Sequence, residues 1–279
     1  MKKVKVFAPA KVNFTLDVLR VENGFHNIKS LVSTLSLGDK ITVIKRKDNK
    51  ITLKQKGIVV DCPLEKNNAF KTAKLFMEKF STNGVDIIID KKIPLGGGLG
   101  GSSADVCGVL KAMSKLYGID KDLTFLANEL GSDTAYMLKG GLCVIEGRGE
   151  RITELNLNKK FHLLLLTAKG GVTAGQCYKK FDENGNYFPE ATDSAVAYLK
   201  KDDFKGFTNA LKNDLYIPAK DLLKEIEQNL NLLKEQGTCF MTGSGSVTIG
   251  IYPNKKTRNS AYKKLLPKVK TSLIKTKTK

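Results

Sequence analysis

The amino-acid sequence predicts an α+β fold, because strand-like and helix-like segments are mixed along its 279 residues. Two apolar runs at residues 41–44 and 51–53 flank a short polar turn and have the pattern of an antiparallel hairpin. Helical periodicity follows at residues 69–80 and again at 106–117, without a regular strand–helix alternation. Early hairpins combined with helices favour α+β over a doubly wound parallel sheet.

The first 155 residues are predicted to form one domain. Its elements are strands at 4–7, 13–18, 41–44, 51–53 and 85–89, helices at 69–80, 106–117 and 123–130, and a strand at 142–145. Asn67 or Asn68 suits the N-cap of the first helix. Gly118 is predicted to end the second helix, and Pro94 to stop the strand before it.

The polar and charged segment at residues 156–160 is the predicted boundary between domains 1–155 and 156–279. The second domain is predicted to contain a strand at 161–167, helices at 174–181, 194–199 and 222–235, two strands within 238–252, and a Lys-rich last helix. Residues 275–279 are predicted to be a frayed tail, because chain termini are commonly poorly ordered.

The composition is strongly basic, with 47 Lys and Arg against 28 Asp and Glu and a formal net charge of +19. Such a balance attracts anionic partners. The lysines are spread along the chain, without the Arg-rich or aromatic-interleaved block of a nucleic-acid binder, so no nucleic-acid partner is expected. A basic nucleic-acid-binding protein remains the alternative of another class, and it predicts tight, salt-sensitive binding.

The cysteines indicate a reducing compartment. There are five of them, at positions 62, 107, 143, 177 and 239, and no Cys-x-x-Cys pair occurs. The N-terminus has no apolar leader and no apolar run approaches membrane-spanning length, so a cytoplasmic location without a membrane partner is expected. Only two histidines occur, which argues against a His-rich metal site.

A glycine-rich segment carries the strongest chemical signal. It reads Pro94-Leu95-Gly96-Gly97-Gly98-Leu99-Gly100-Gly101-Ser102-Ser103-Ala104. Glycines let a ligand approach bare backbone N–H groups, and a helix is predicted to start directly afterwards with Ser102 or Ser103 at its N-cap. The positive end of that helix favours anions, so the segment predicts a phosphate-binding loop.

Other interpretations of this loop are weaker. The P-loop requires a Gly-Lys pair, which the chain lacks. Gly96, Gly98 and Gly101 satisfy the G-x-G-x-x-G fingerprint of nicotinamide oxidoreductases, but that fingerprint belongs after a first strand and this loop lies past residue 90. A purely structural glycine turn is the remaining alternative.

The loop resembles the phosphate-binding motif of the GHMP kinase superfamily. Four further blocks resemble its branch that phosphorylates 4-diphosphocytidyl-2-C-methyl-D-erythritol: Ala8-Pro9-Ala10-Lys11-Val12-Asn13, Asn23-Gly24-Phe25-His26-Asn27-Ile28-Lys29-Ser30, Gly131-Ser132-Asp133-Thr134-Ala135-Tyr136 and Thr242-Gly243-Ser244-Gly245-Ser246. This resemblance implies a ribosomal-protein-S5-like N-terminal domain and a ferredoxin-like C-terminal domain. It also implies an ATP-dependent small-molecule kinase that uses Mg²⁺, as a monomer or homodimer.

The resemblance also implies the catalytic residues. Asp133 would accept or orient the proton of the substrate hydroxyl, and Lys11 would keep Asp133 ionised and polarise that hydroxyl. From the residues alone, Asp133 is equally a turn or cap residue and Lys11 a surface charge. Residues 94–104 would bind ATP, and the hydroxyl of Ser103 would face Mg²⁺.

The acceptor implied is a cytidine diphosphate derivative. Phe25 and Tyr178 would sandwich its cytosine, and His26 would hydrogen-bond the edge of the base. Asn13 would lie near the methylerythritol unit, and Gly243 and Ser244 belong to the implied substrate loop. The alternative for the two aromatic residues is core packing. The nearest alternative function is a GHMP kinase for homoserine, mevalonate or a sugar, none of which offers a base to stack.

Overall fold

The computed structural model describes residues 2–22, 24–184, 190–269 and 272–279. Asn23, which opens one of the predicted blocks, lies outside the described residues. The chain forms two compact units that interleave in sequence. The first comprises Met1–Ala10, Leu37–Leu95 and Gly100–Lys139, and the second Lys11–Ser36, Gly96–Leu99 and Gly140–Lys279. The domain boundary between residues 155 and 156 stays a prediction.

Both strands and helices are present, as the sequence predicts. The strands are β1 (Lys3–Asn13), β2 (Asp17–Glu22), β3 (Phe25–Lys45), β4 (Ile51–Gly57), β5 (Val85–Lys91), β6 (Leu142–Gly147), β7 (Arg151–Glu154), β8 (His162–Leu166), β9 (Cys239–Met241), β10 (Thr248–Tyr252) and β11 (Leu273–Lys277). The α-helices of the described residues are α1 (Asn68–Phe80), α2 (Gly101–Tyr117), α3 (Thr124–Leu130), α4 (Thr134–Lys139), α5 (Ala174–Asn184), α6 (Ala191–Lys200), α7 (Phe204–Asn209), α8 (Tyr216–Leu222), α9 (Glu225–Lys234) and α10 (Lys255–Val269).

The predicted hairpin in the first unit is wrong. Residues 40–45 of β3 pair antiparallel with β5, and β4 pairs in parallel with the other edge of β5, so β5 lies between them. Val85, Ile87 and Ile89 of β5 are all buried. Apolar alternation identifies a strand but not its partner, and β5, which begins 28 residues after the end of β4, takes the central place.

The ends of α1 and α2, both in the first unit, test the predicted helix caps. The Asn67 side chain caps α1 by accepting from the Ala69 N–H, which confirms one of the two predicted caps. The cap of α2 is Gly100, not Ser102 or Ser103, and Gly118 ends this helix as predicted. Gly108 lets α2 lie against Ile41, because a Cβ there would collide with that side chain.

The second unit contains two groups of paired strands. Residues 28–33 of β3 pair antiparallel with β6, which also pairs with β7, and β2 pairs with the start of β3. The other group is a four-stranded sheet in the order β11-β8-β10-β9. The predicted frayed tail is instead β11, paired with β8 along five residues, because Leu273 and Thr276 are buried there.

Helices of the second unit cover an apolar cluster that includes Cys177, Phe181, Ala219, Ile226 and Met241. The predicted helix at 222–235 is α9, at Glu225–Lys234, which begins three residues later than predicted. A separate helix, α8, precedes it, and Leu223, which has an extended backbone, lies between the two. The sequence does not predict α7 and α8, because at six and seven residues they are too short for periodicity to identify.

Candidate active site

The glycine-rich loop adopts backbone conformations that favour glycine. The φ angles of Gly96, Gly98 and Gly100 are 61°, 70° and 69°. Gly100 provides no side-chain cap for α2. The N–H groups of the first turn of any helix have no intrahelical acceptor, so this end of α2 presents donors and the positive end of a helix dipole. The loop therefore has the chemistry of a phosphate site.

In the first unit, α2 brings Ser103 close to the turn that carries Asp133. A Cβ placed on Gly131 would lie 3.8 Å from Ser103 Oγ. The Asp133 carbonyl accepts from the Met137 N–H at 3.0 Å, so Asp133 opens α4. Cys107 of α2 donates to the Thr134 carbonyl at 3.2 Å. The two sequence-predicted residues therefore come from helices that are tied together.

Ser102 has a different role from its predicted one. The Asn68 side chain, at the start of α1, donates to Ser102 Oγ at 2.6 Å. This bond ties the first turn of α2 to α1.

Asp39, Lys91 and Asp105 form a buried ion network near the start of α2. The Lys91 ammonium donates to Asp39 at 2.8 Å and to Asp105 at 2.6 Å. Burial raises the pKa of Asp105 to about 7, although Lys91 acts in the opposite direction. Burial also opposes the charge of Lys91, but Asp105 and Asp39 outweigh it and raise the pKa of Lys91. No local pattern in the sequence identifies these three residues as part of a site.

In the second unit, Lys11 and Asn13 are buried neighbours, although the sequence alone makes Lys11 look like a surface charge. The Lys11 ammonium donates to Asn13 Oδ1. The backbone N–H of Lys11 donates to the Leu99 carbonyl at 3.0 Å. Asn13 donates through its side chain to Ser30 Oγ at 2.7 Å and through its backbone to Thr242 Oγ1 at 2.8 Å. These bonds connect both predicted residues to glycine-rich segments.

The loop at residues 242–247 packs directly on Gly96–Leu99, within the second unit. The Ser246 N–H donates to the Gly96 carbonyl at 3.0 Å. A Cβ on Gly98 would collide with the Thr242 carbonyl oxygen. The side chain of Asn213 donates to the carbonyls of Met241 and Gly243 at 2.9 and 2.8 Å. Predicted residues Gly243 and Ser244 thus belong to a loop that Asn213 supports, and Asn213 itself was not predicted.

The residues predicted to bind cytosine are also in the second unit. The ring of His26 stacks on Tyr178 with centroids 4.9 Å apart, and His26 Nε2 donates to Asp182 at 2.7 Å. Phe25 is 49% exposed, and the Arg148 guanidinium lies 3.7 Å above its ring. His26 and Tyr178 are therefore in contact, while the sandwich between Phe25 and Tyr178 stays a prediction.

The residues that sequence reasoning missed are Asp182, Arg148, Asn213, Asp39, Lys91 and Asp105. Asp182, Arg148 and Asn213 contact a predicted residue or its loop from a distant part of the chain, as Asp182 does 156 positions after His26. Asp39 bonds the two residues that precede the glycine-rich loop. None belongs to one of the recognised blocks, so no local pattern in the sequence identifies them.

Comparison with known proteins defines the class. Residues 67–142, which include the glycine-rich loop and Asp133, match the model described as GHMP kinases N terminal domain. A solved homoserine kinase from Cytophaga hutchinsonii shares the fold with a TM-score of 0.75, covering 100% of this chain and 95% of that one at 17% identity. The fold and this segment are those of a GHMP kinase, and the predicted α+β two-domain GHMP kinase fold is confirmed.

More similar relatives identify the family within this class. A 4-diphosphocytidyl-2-C-methyl-D-erythritol kinase of Clostridium beijerinckii is 32% identical over 279 residues, which is 97% of this chain and 99% of the relative. A crystal structure of 4-(cytidine 5'-diphospho)-2C-methyl-D-erythritol kinase has a TM-score of 0.81 at 28% identity, covering 99% of this chain and 100% of that one. The chain belongs to the 4-diphosphocytidyl-2-C-methyl-D-erythritol kinase family.

Among the described residues, no helix combines the length and the apolar character that crossing a membrane requires.

Proposed function

We propose that this chain transfers the γ-phosphate of ATP to the 2-hydroxyl of 4-diphosphocytidyl-2-C-methyl-D-erythritol, a step of the non-mevalonate route to isoprenoid precursors. Near full-length similarity to relatives with this activity supports the reaction. The observation within the molecule that carries the proposal is the glycine-rich loop followed by α2, whose first turn has no side-chain cap. Such an end binds phosphate through backbone donors.

The residues of the loop have separate parts in this proposal. Backbone N–H groups at Gly98, Gly100 and Gly101 face the phosphates of ATP, and residues 94–104 form the wall of the nucleotide site. Phosphoryl transfer depends mainly on positioning and on neutralising charge, which backbone donors and a helix dipole can provide.

Asp133 is the proposed acceptor of the proton from the substrate hydroxyl. Its position at the start of α4, in the turn that lies beside Ser103, supports this role. Lys11 is the proposed cation that favours the developing alkoxide. Its burial and its bond to Asn13 support that role, because a buried ammonium with a fixed partner is held in one orientation.

Mg²⁺ is the proposed metal, carried with the nucleotide. No group of three or more His, Cys, Asp or Glu that could hold a metal is found among the described residues. This fits an ion that takes most of its ligands from phosphate and water and only one or two from the protein. The hydroxyl of Ser103 is the proposed protein ligand, and the ion would neutralise phosphate charge.

The acceptor is proposed to bind through the second unit. His26 and Tyr178 form a flat surface for the cytosine, with Phe25 as the second aromatic residue. Asn13, Gly243 and Ser244 would contact the methylerythritol diphosphate part. The protein is proposed to act as a monomer or homodimer.

The experiment measures ADP release with ATP and Mg²⁺ and one acceptor at a time. The acceptors are 4-diphosphocytidyl-2-C-methyl-D-erythritol, homoserine, mevalonate and galactose. Turnover with the cytidyl acceptor alone is expected. Turnover with another acceptor only would keep the kinase and contradict the cytosine site, and failure of the folded protein to bind ATP would contradict the proposal as a whole.

A further inference from the structure

The buried ion network of Asp39, Lys91 and Asp105 has no part in the chemistry proposed above. The side chains are 0%, 2% and 10% exposed, respectively. Lys91 contacts both carboxylates, at 2.8 and 2.6 Å. A single ammonium thus bridges two acidic side chains from different elements of the first unit, since Asp39 lies in β3, Lys91 in β5 and Asp105 in α2.

The network reaches the residues before the glycine-rich loop. Asp39 Oδ1 accepts from the backbone N–H groups of Lys92 and Ile93, at 2.6 and 2.9 Å. These two residues directly precede Pro94. The chain therefore enters the loop with its backbone bonded to a buried carboxylate.

The network also reaches the last glycine of the loop and the first turns of α2. Lys91 Nζ lies 3.5 Å from the Gly101 carbonyl, and it pairs with Asp105 in the second turn of α2. The same ammonium is thus bonded to the start of the helix whose N–H groups are proposed to meet phosphate. Both ends of the loop are attached to one group of three side chains.

Stability alone does not account for such a group. Buried ion networks are costly to desolvate, and apolar side chains of similar volume are often at least as stabilising. Asp105 Oδ1 is buried without a hydrogen-bond partner among the described residues, which adds to that cost. Charged hydrogen bonds hold two groups in a fixed direction, and apolar packing does not. Direction matters at this place, because the glycines of the loop have no side chains to restrain them.

We propose that Asp39, Lys91 and Asp105 are positioning residues that set the distance and angle between the end of β5 and the first turn of α2. This inference rests on the proposed ATP site. With both ends fixed, the backbone donors of the loop are arranged before ATP arrives. Pre-arrangement of this kind lowers the cost of binding and keeps the γ-phosphate in line for transfer.

The test uses three variants of the full chain: Lys91→Met, Asp105→Asn and the triple variant Asp39→Asn/Lys91→Met/Asp105→Leu. The triple variant removes all three charges, so no buried charge is left without a partner, whereas Lys91→Met alone leaves two buried carboxylates without their ammonium. Each is measured for KM of ATP, KM of the acceptor, kcat, and Kd of ATP by calorimetry. Hydrogen exchange of residues 94–104 is followed without ligands.

All folded variants are expected to raise KM and Kd for ATP by at least about tenfold, because small displacements of binding groups have large effects. The acceptor KM is expected to change less than about twofold, and exchange at 94–104 to become faster. A merely structural role would lower the active fraction and hence kcat, and would leave KM for ATP unchanged.

Asp86→Asn is the matched control. Asp86 lies on β5 like Lys91, about 16 Å away along the strand, and its carboxylate pairs with Arg46 at 2.6 Å. Wild-type ATP affinity is expected for this variant. Wild-type affinity in the folded triple variant would overturn the positioning role. A wild-type protein that does not bind ATP would instead overturn the proposed function, and the positioning role with it.

Discussion

The molecule has two glycine-rich segments that look alike in sequence and are supported in different ways. The first, residues 96–101, leads into the 17-residue helix α2. The second, residues 242–246, joins the short strands β9 and β10. Both use positive φ angles, at Gly96, Gly98 and Gly100 in the first and at Gly243 and Gly245 in the second.

Charge supports the first segment, and neutral hydrogen bonds support the second. The ion network of Asp39, Lys91 and Asp105 borders the first segment at both ends. The amide of Asn213 bonds the second. The first also ends in a helix N-terminus, which the second lacks. Glycine content therefore indicates a loop that a ligand can approach, and the elements around the loop decide which ligand it suits.

We propose that the chemical step takes place on the side of the first segment, where Asp133 lies in the turn beside Ser103. Asp133→Asn is expected to lower kcat by about 10²–10⁴, the typical contribution of a general base. Single-turnover measurement of phosphate transfer checks this. Asp120→Asn, an exposed change in the same unit, is the control. Near wild-type turnover of folded Asp133→Asn would remove this residue from the mechanism.

The contact between the two segments is tested by Gly98→Ala. Gly98 and Gly118 share a φ of +70°, but a Cβ on Gly98 would meet the Thr242 carbonyl, while nothing lies within 4 Å at Gly118. Both alanine variants are expected to lose about 1–2 kcal/mol of stability from the backbone conformation. Gly98→Ala is in addition expected to lower kcat/KM for ATP by about 10²-fold. Equal kinetics in the two variants would show that the contact is unimportant.

Asn213→Ala tests the support of the second glycine-rich segment. The change leaves the carbonyls of Met241 and Gly243 without their amide donor, at a cost of about 1–3 kcal/mol of stability. We expect the acceptor KM to rise about tenfold and the ATP KM to change less, since the second segment is the one disturbed. Asn229→Ala is the control, because Asn229 is buried in the same unit and its Nδ2 has no partner among the described residues. Larger effects on ATP than on the acceptor would reverse the assignment.

The smallest effect is expected for Asp182→Asn. Asp182 accepts from His26, but its side chain is 52% exposed, and exposed ion pairs contribute at most about 1 kcal/mol. The acceptor KM should rise up to about fivefold while the ATP KM stays unchanged. Asp193→Asn breaks the similarly exposed pair with Lys29 and serves as control. If both variants behave alike, the His26–Asp182 bond has no specific part in acceptor binding.

The sequence predicts those parts of the fold that depend on local patterns. Asn67 as a cap and Gly118 as a helix end are readable, because capping depends on a few adjacent residues. The order β4-β5-β3 is not readable, because partner choice depends on residues far apart in the chain. The role of residues 273–277 as a strand likewise depends on pairing with β8, which Lys-rich composition conceals.

The candidate site also contains residues that local patterns identify and residues that they do not. The glycine-rich loop, Lys11 and Asp133 lie in short blocks with a recognisable order of residue types. Asn213 acts through two long-range hydrogen bonds and Asp182 through one, and a lone Asn or Asp has no distinguishing context in the sequence. The prediction that Ser102 or Ser103 caps α2 is wrong, because Gly100 takes the cap position and both serines lie within the helix.

Hydrogen–deuterium exchange of the wild-type protein with ATP–Mg²⁺ alone and with the cytidyl acceptor alone tests the central comparison most directly. ATP is expected to slow exchange at residues 96–104, and the acceptor to slow it at 242–247 and around His26 and Tyr178. If ATP leaves residues 96–104 unchanged and protects the second segment instead, the assignment of the two glycine-rich segments is contradicted.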